Sequence, residues 1–135
     1  MSNKTSYQVK AILYRLLTLP DNDLRKAITG KVYKNKRPVG SKGEDVVING
    51  LPLSGTQFQL SAAIVNIYVP DKDQGTELVQ DDARLAELTQ LAMTYLTEGA
   101  GSGYGFFFAN QQDFDEPETG SHYSSIRITF RFFPE

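Results

Sequence analysis

At 135 residues the chain is the size of one ordinary domain, and its 40% hydrophobic content, with 8 Phe and 7 Tyr, is enough to fill a core, which excludes wholesale disorder. A formal charge of −2 gives no overall field that draws the molecule to nucleic acid or anionic lipid, so any such contact is local. The absence of cysteine removes disulfides, thiolate nucleophiles and sulfur-ligated metals, and no apolar run approaches the roughly 18 residues of a membrane span.

The N-terminus lacks the apolar core of a signal peptide, so a soluble cytoplasmic protein with no membrane partner is expected. Val9, Ile12, Leu13, Leu16 and Leu17 put one apolar stripe on a helix over residues 6–17, with Thr5 or Ser6 as its cap. Pro20 ends it. Asp21 is expected to cap a second short turn over Leu24, Ala27 and Ile28, closed by Gly30 in the left-handed conformation.

Lys31–Lys34 and Asp45–Asn49 read as a hairpin of two strands joined by an exposed polar loop over residues 34–44. The clearest strand is residues 58–69, where Val65, Ile67 and Val69 form a fully apolar face opposite Ile64, Asn66 and Tyr68. A polar connection over 71–81 leads to a second main helix carrying Leu85, Leu88, Ala92 and Leu96, up to Gly99. Gly99, Gly101, Gly103 and Gly105 then read as a helix end and a pliable hinge feeding a buried strand at Phe106–Phe108. A polar acidic loop over 110–122 precedes a last strand in which Ile126, Ile128, Phe130 and Phe132 alternate with outward-facing Arg127 and Arg131. The order gives one α+β domain over 1–135: a mainly antiparallel, mixed sheet of about four to five strands with two main helices on one face.

Several chemical motifs fail on their own geometry. The glycines follow a helix and open a strand, the reverse of a dinucleotide loop, so phosphate would meet the wrong end of the dipole. Asp71, Asp73 and Asp82 fit three positions of a calcium loop, but Gly75 sits one place too early for its sharp turn, which leaves a solvated loop whose Asp81 or Asp82 caps the next helix. Asp113, Asp115, Glu116 and Glu118 lie in a polar segment with nothing to separate two carboxylate pKa values, so they read as a solvated loop or a contact with another subunit. His122 is the single histidine and, beside Ser121, Ser124 and Ser125, makes no recognisable triad. No cofactor, metal or enzymatic activity is expected.

Lys31, Lys34, Lys36, Arg37 and Lys42 place five basic residues in twelve, with Tyr33 the only aromatic among them. That segment reads as a solvated loop or as a partner for an acidic surface on a neighbour rather than as a direct nucleic-acid contact, although a small binding domain using residues 31–42 is the alternative reading. A basic loop and an acidic loop on one domain favour head-to-tail association, which closes a ring when the rotation permits.

The chain resembles the tail terminator or tail completion proteins of long-tailed phages and prophages, the family that joins head to tail. The resemblance is carried by Leu24–Tyr33, Arg37-Pro38, Glu44–Asn49, the strand Ile64–Val69, the helix 82–97, and Asp115 with Gly120–Tyr123 and Ile126–Phe132. It implies a structural protein without enzymatic activity, assembled as a hexameric ring, that caps the tail tube, ends its polymerisation and presents a surface to the head connector. Its partners would be further copies of itself, the tail tube protein and the connector proteins, in the host cytoplasm and then in the virion tail. By the same resemblance Lys34, Lys36, Arg37 and Lys42, with Asp113, Asp115, Glu116 and Glu118, would touch neighbouring subunits or the tube.

Overall fold

The expected helix forms as α1 (Ser6–Leu17) and buries Val9, Leu13 and Leu17 completely, while Ile12 and Leu16 pack at its margin. These observations come from a computed structural model that describes residues 6–51 and 60–133. Thr5, one of the two expected caps, and the start of the long strand at 58–59 lie outside the described residues.

A short helix α2 (Asp23–Ala27) follows, and its cap differs from expectation. Asn22 rather than Asp21 is the N-cap: its Oδ1 accepts the Arg25 N–H at 3.0 Å while its Nδ2 donates to Leu16 O at 3.1 Å, tying the two helices together. The side chain that reaches both helices wins over the neighbour that is exposed. Gly30 does not adopt a positive φ; α2 ends at Ile28 in extended backbone instead.

The main sheet has six strands, β1 (Val32–Lys34), β2 (Val46–Leu51), β3 (Leu60–Pro70), β6 (Glu98–Gly101), β7 (Tyr104–Glu116) and β8 (Ser121–Phe132), in the order β1-β2-β3-β8-β7-β6. A separate two-stranded ribbon, β4 (Lys72–Asp73) and β5 (Leu78–Val79), occupies the connection expected to be irregular. The sheet is α+β and mixed as expected, but one strand larger than the upper expectation. All its pairings are antiparallel except β1–β2, which is parallel, so residues 32–49 do not form the expected hairpin. Residues 35–45 must carry the chain back along the sheet before β2 begins.

Two further departures share one cause. Residues 110–116, expected to be an acidic loop, continue β7 because every position from Asn110 to Glu116 pairs with β8. Polar residues at a sheet edge satisfy the backbone as well as apolar ones, and local polarity cannot distinguish such a strand from a loop. The glycine segment is likewise a strand, β6, in a tight hairpin with β7, rather than a hinge. Gly103 makes the turn at φ 81°, and a Cβ on Gly99 would lie 2.3 Å from the Phe106 ring, so glycine there lets the ring lie across the strand.

The core lies on one face of this sheet. Val65 of β3 lies between Ile126 of β8 and Ile48 of β2, Ile67 lies beside Val46, and Ala63 lies beside Ile128; with Val69 and Phe130 they share this buried face. Against them pack α1 and α3 (Asp82–Leu96), the latter through Leu85, Leu88, Ala92 and Leu96. Burying each such Leu, Ile or Phe contributes about 2 kcal/mol, so the helical layer is held mainly by these contacts. Asp81 caps α3, its Oδ1 accepting the Arg84 N–H at 3.1 Å, as one of the two expected caps. Among the described residues no α-helix packs on the other face, which carries Tyr33, Ile64, Asn66, Tyr68, Tyr123 and Arg127.

Candidate functional site

The loop that returns from β1 to β2 is held by one buried arginine. Arg37 Nη1 donates to Gly43 O and to Asp45 Oδ2, both at 3.2 Å. Its Nη2 donates to Glu116 Oε2 at 2.8 Å, and to Thr119 Oγ1 and Ser121 Oγ at 3.1 and 3.2 Å. The guanidinium carbon also lies over the Tyr68 ring, 4.0 Å from its centroid. A planar fork with five donors can tie together this many acceptors from separate elements, which a lysine cannot.

Asp45 completes the knot from the other side: its Oδ2 accepts from Ser41 Oγ at 2.6 Å, and its Oδ1 accepts the Lys31 N–H at 3.1 Å. Its neighbour Glu44 reaches the helical layer. Arg84 of α3 donates through Nε and Nη2 to Glu44 Oε2 and Oε1 at 2.7 and 2.8 Å, and Nη2 also donates to Ala27 O at 2.7 Å. The hydrogen bonds from Arg84 to Glu44 hold its guanidinium pKa above the ordinary value. Adjacent carboxylates at 44 and 45 therefore point to opposite layers, one to the sheet's open face and one to the helices.

Charge at this site tunes the groups around it. Burial pushes the Glu116 carboxyl up, but the hydrogen bonds from Arg37 and Thr119 outweigh it and leave the pKa below the usual value. Burial, then the Glu116 charge, raises the phenols of Tyr68 and Tyr123. These two rings lie 4.7 Å apart and Phe114 stacks on Tyr123 at 5.4 Å, so Arg37, Tyr68, Tyr123 and Phe114 form a ladder across the open face.

The basic and acidic residues expected to meet between subunits are partly joined within one. Lys36, Arg37, Glu116 and Glu118 all line one groove of about 410 Å³. Arg37 is 8% exposed and paired inside the chain, and Glu116 belongs to the same pair. The remaining six stay outside the knot. Lys34 lies on β1 with its Nζ 5.1 Å from the Tyr14 ring centroid, and Lys42 and Lys36 are exposed. Asp113 accepts from Gln80 and Gln111 at 3.0 and 2.8 Å, whereas Asp115 and Glu118 are exposed.

Sequence reasoning missed Glu44, Asp45, Tyr68 and Arg84 as members of this network. The one available signal was the pair Glu44-Asp45 directly before the apolar run Val46–Ile48, where an unpartnered charge would be costly to bury. His122 has a partner that was also unforeseen, its Nδ1 lying 2.7 Å from Asp71 Oδ1. The neighbouring hydroxyls are engaged elsewhere: Ser121 with Arg37 and Thr119, Ser124 with Thr89 and Gln111. Among the described residues no group of three or more His, Asp or Glu side chains is placed to hold a metal ion, and no helix is long and apolar enough to cross a membrane.

Outside the knot, the open edges of the sheet differ in charge. β1 forms one edge, with Lys31 and Lys34; a groove of about 420 Å³ beside it is lined by Tyr14, Arg25, Lys31 and Val32. On the other side β6 pairs only with Tyr104–Phe107, so β7 beyond that point is an edge strand bearing Asp113 and Asp115. The groove beside it, about 390 Å³, includes Asp82 and Asp113. No family model matches the chain, and no curated protein matches it either.

Proposed function

We propose that this chain is a structural protein of virion assembly that joins head to tail. Copies associate head-to-tail into a ring of about six, seat on the end of a tail tube, stop its polymerisation and present a surface to the head connector. In this reading the protein works by surface complementarity and makes no covalent chemistry. Its place is the host cytoplasm during assembly and then the tail of the particle.

The observation that carries the reading is the open six-stranded sheet with a basic edge at β1 and an acidic edge along β7. Two unlike, mutually attractive edges on one subunit favour a heterologous contact, and a heterologous contact with the right rotation closes a ring. The resemblance of Leu24–Tyr33, Arg37-Pro38, Glu44–Asn49 and Ile126–Phe132 to the tail terminator family supplies the identity of the surface that such a ring would cap. The alternative, a small domain binding nucleic acid or an acidic protein through residues 31–42, is weakened because both Nη groups of Arg37 donate inside the chain.

Electron microscopy of the purified protein mixed with tail tubes tests the proposal. The expected image is a tube closed at one end by a ring of about six copies. Protein that binds neither tube ends nor itself overturns the proposal. A binding isotherm on nucleic acid with a steep salt slope, abolished by replacing Lys34 and Lys36 with Ala, would establish the alternative instead.

A further inference from the structure

Within the ring reading, on which this inference rests, we propose that the subunits join by continuing the sheet: β1 of one copy pairs antiparallel with the outer edge of β7 in the next, over residues 31–34 and 113–116. The direction follows from the topology. β1 is parallel to β2, and three antiparallel steps through β3 and β8 lead to β7, so β1 and β7 run in opposite senses within one subunit. A ring whose axis lies along the strands keeps those senses, which brings β1 of one copy against β7 of its neighbour as an antiparallel pair.

The two faces of the sheet match in the same register. Lys34 pairs across β1–β2 with Ile48, a fully buried core residue, so it belongs to the helix-covered face. Asp113 belongs to that face too, because its partner across β8 is Ser124, whose hydroxyl bonds to Thr89 of α3. Tyr33 and Phe114 both lie on the open face, opposite Val47 and Tyr123. Setting Tyr33 against Phe114, which is 41% exposed, therefore sets Lys34 against Asp113 and Val32 against Asp115. Attractive charges meet on one face and aromatic rings on the other.

The backbone has the groups to make this contact. Bonds from Val46 N–H to Lys31 O and from Asn35 N–H to Ile48 O turn residues 31 and 35 toward β2, so alternation turns Val32 and Lys34 outward. Lys34 O already accepts the Lys36 N–H at 2.9 Å, which leaves the Val32 N–H and C=O and the Lys34 N–H for a neighbour. Beside the edges, the groove with Arg25 and Lys31 faces a groove with Asp82 and Asp113, extending the charge match into the helical layer. An edge of this kind is normally shielded against indiscriminate pairing by its charges, and the same charges select a partner of opposite sign.

The chain has no cysteine, so a designed disulfide reads the register directly. In the double variant Tyr33→Cys, Phe114→Cys the two thiols would face each other across the contact, at a separation a disulfide spans. Mild oxidation of this variant with diamide is expected to give a ladder of covalent oligomers ending at the ring size. Each single variant should stop at a dimer, and the pair Tyr33→Cys, Gln112→Cys should link poorly. As a second readout on uncrosslinked protein, Lys34→Glu should weaken self-association about tenfold, with recovery when Asp113→Lys is added.

Rings seen on tube ends without links in this register overturn the edge contact and leave the ring reading standing. Links in this register without any closed ring keep the edge contact and refute the ring. Neither links nor rings refutes both.

Discussion

Replacing Arg37 with Met keeps an unbranched apolar stem and removes the guanidinium on which the loop 35–45 depends. The arginine side chain is 6% exposed and its partner Asp45 only 2%, so the substitution leaves an aspartate buried without its counter-charge. Breaking a buried pair from one side costs about 3–5 kcal/mol, far more than an exposed pair is worth. Asp45 would retain the Lys31 N–H and Ser41 Oγ, and Glu116, whose side chain is 27% exposed, could turn to water, which places the expectation at about 3 kcal/mol. At a urea slope of about 1.5 kcal/mol per molar, the unfolding midpoint should fall by about 2 M. The chain contains no Trp, so far-UV circular dichroism is the suitable signal. Adding Asp45→Asn to Arg37→Met should cost much less than the two single effects summed, because the second change removes the stranded charge. A midpoint shift for Arg37→Met below about 0.5 M would refute the view that this knot holds the loop.

Gly30→Ala should destabilise the fold by about 2–3 kcal/mol, because the added Cβ would lie 1.9 Å from Asp45 Oδ1 and 2.6 Å from the Glu44 carbonyl; a thermal midpoint equal to wild type contradicts this. Glu116 has a folded pKa below its ordinary value, so the stability it adds is complete above about pH 4.5 and is lost as pH falls through the lower folded value. Urea midpoints measured from about pH 6 to about pH 3 should fall less steeply in Glu116→Gln than in wild type, and parallel curves would show that the carboxylate is not linked to folding. Gly99→Leu would force the Phe106 ring out of its place over β6 and should cost about 1–3 kcal/mol in chemical unfolding; an unchanged midpoint would mean the ring has room to move.

What the amino-acid order determined by itself is the part of the fold written in period and cap. Leu13 and Leu17 on α1, the alternation Val65–Ile67–Val69, the alternation Ile126–Ile128–Phe130 and the Asp81 cap were all legible, because each depends on neighbours within a few residues. Burial of these side chains follows from their spacing alone. The same local rules failed where the deciding partner is distant in sequence. Asn110–Glu116 reads as a loop until β8 supplies its backbone bonds, and Gly99 reads as a helix end until Phe106 returns across it. Val32 and Val46 read as halves of a hairpin, and only the tertiary knot makes them parallel: Arg37 gathers Asp45, Glu116 and Ser121 from positions up to 84 residues away. A buried charge is stable only where its partners have been brought together, and that is a property of the assembled sheet rather than of any segment of the chain.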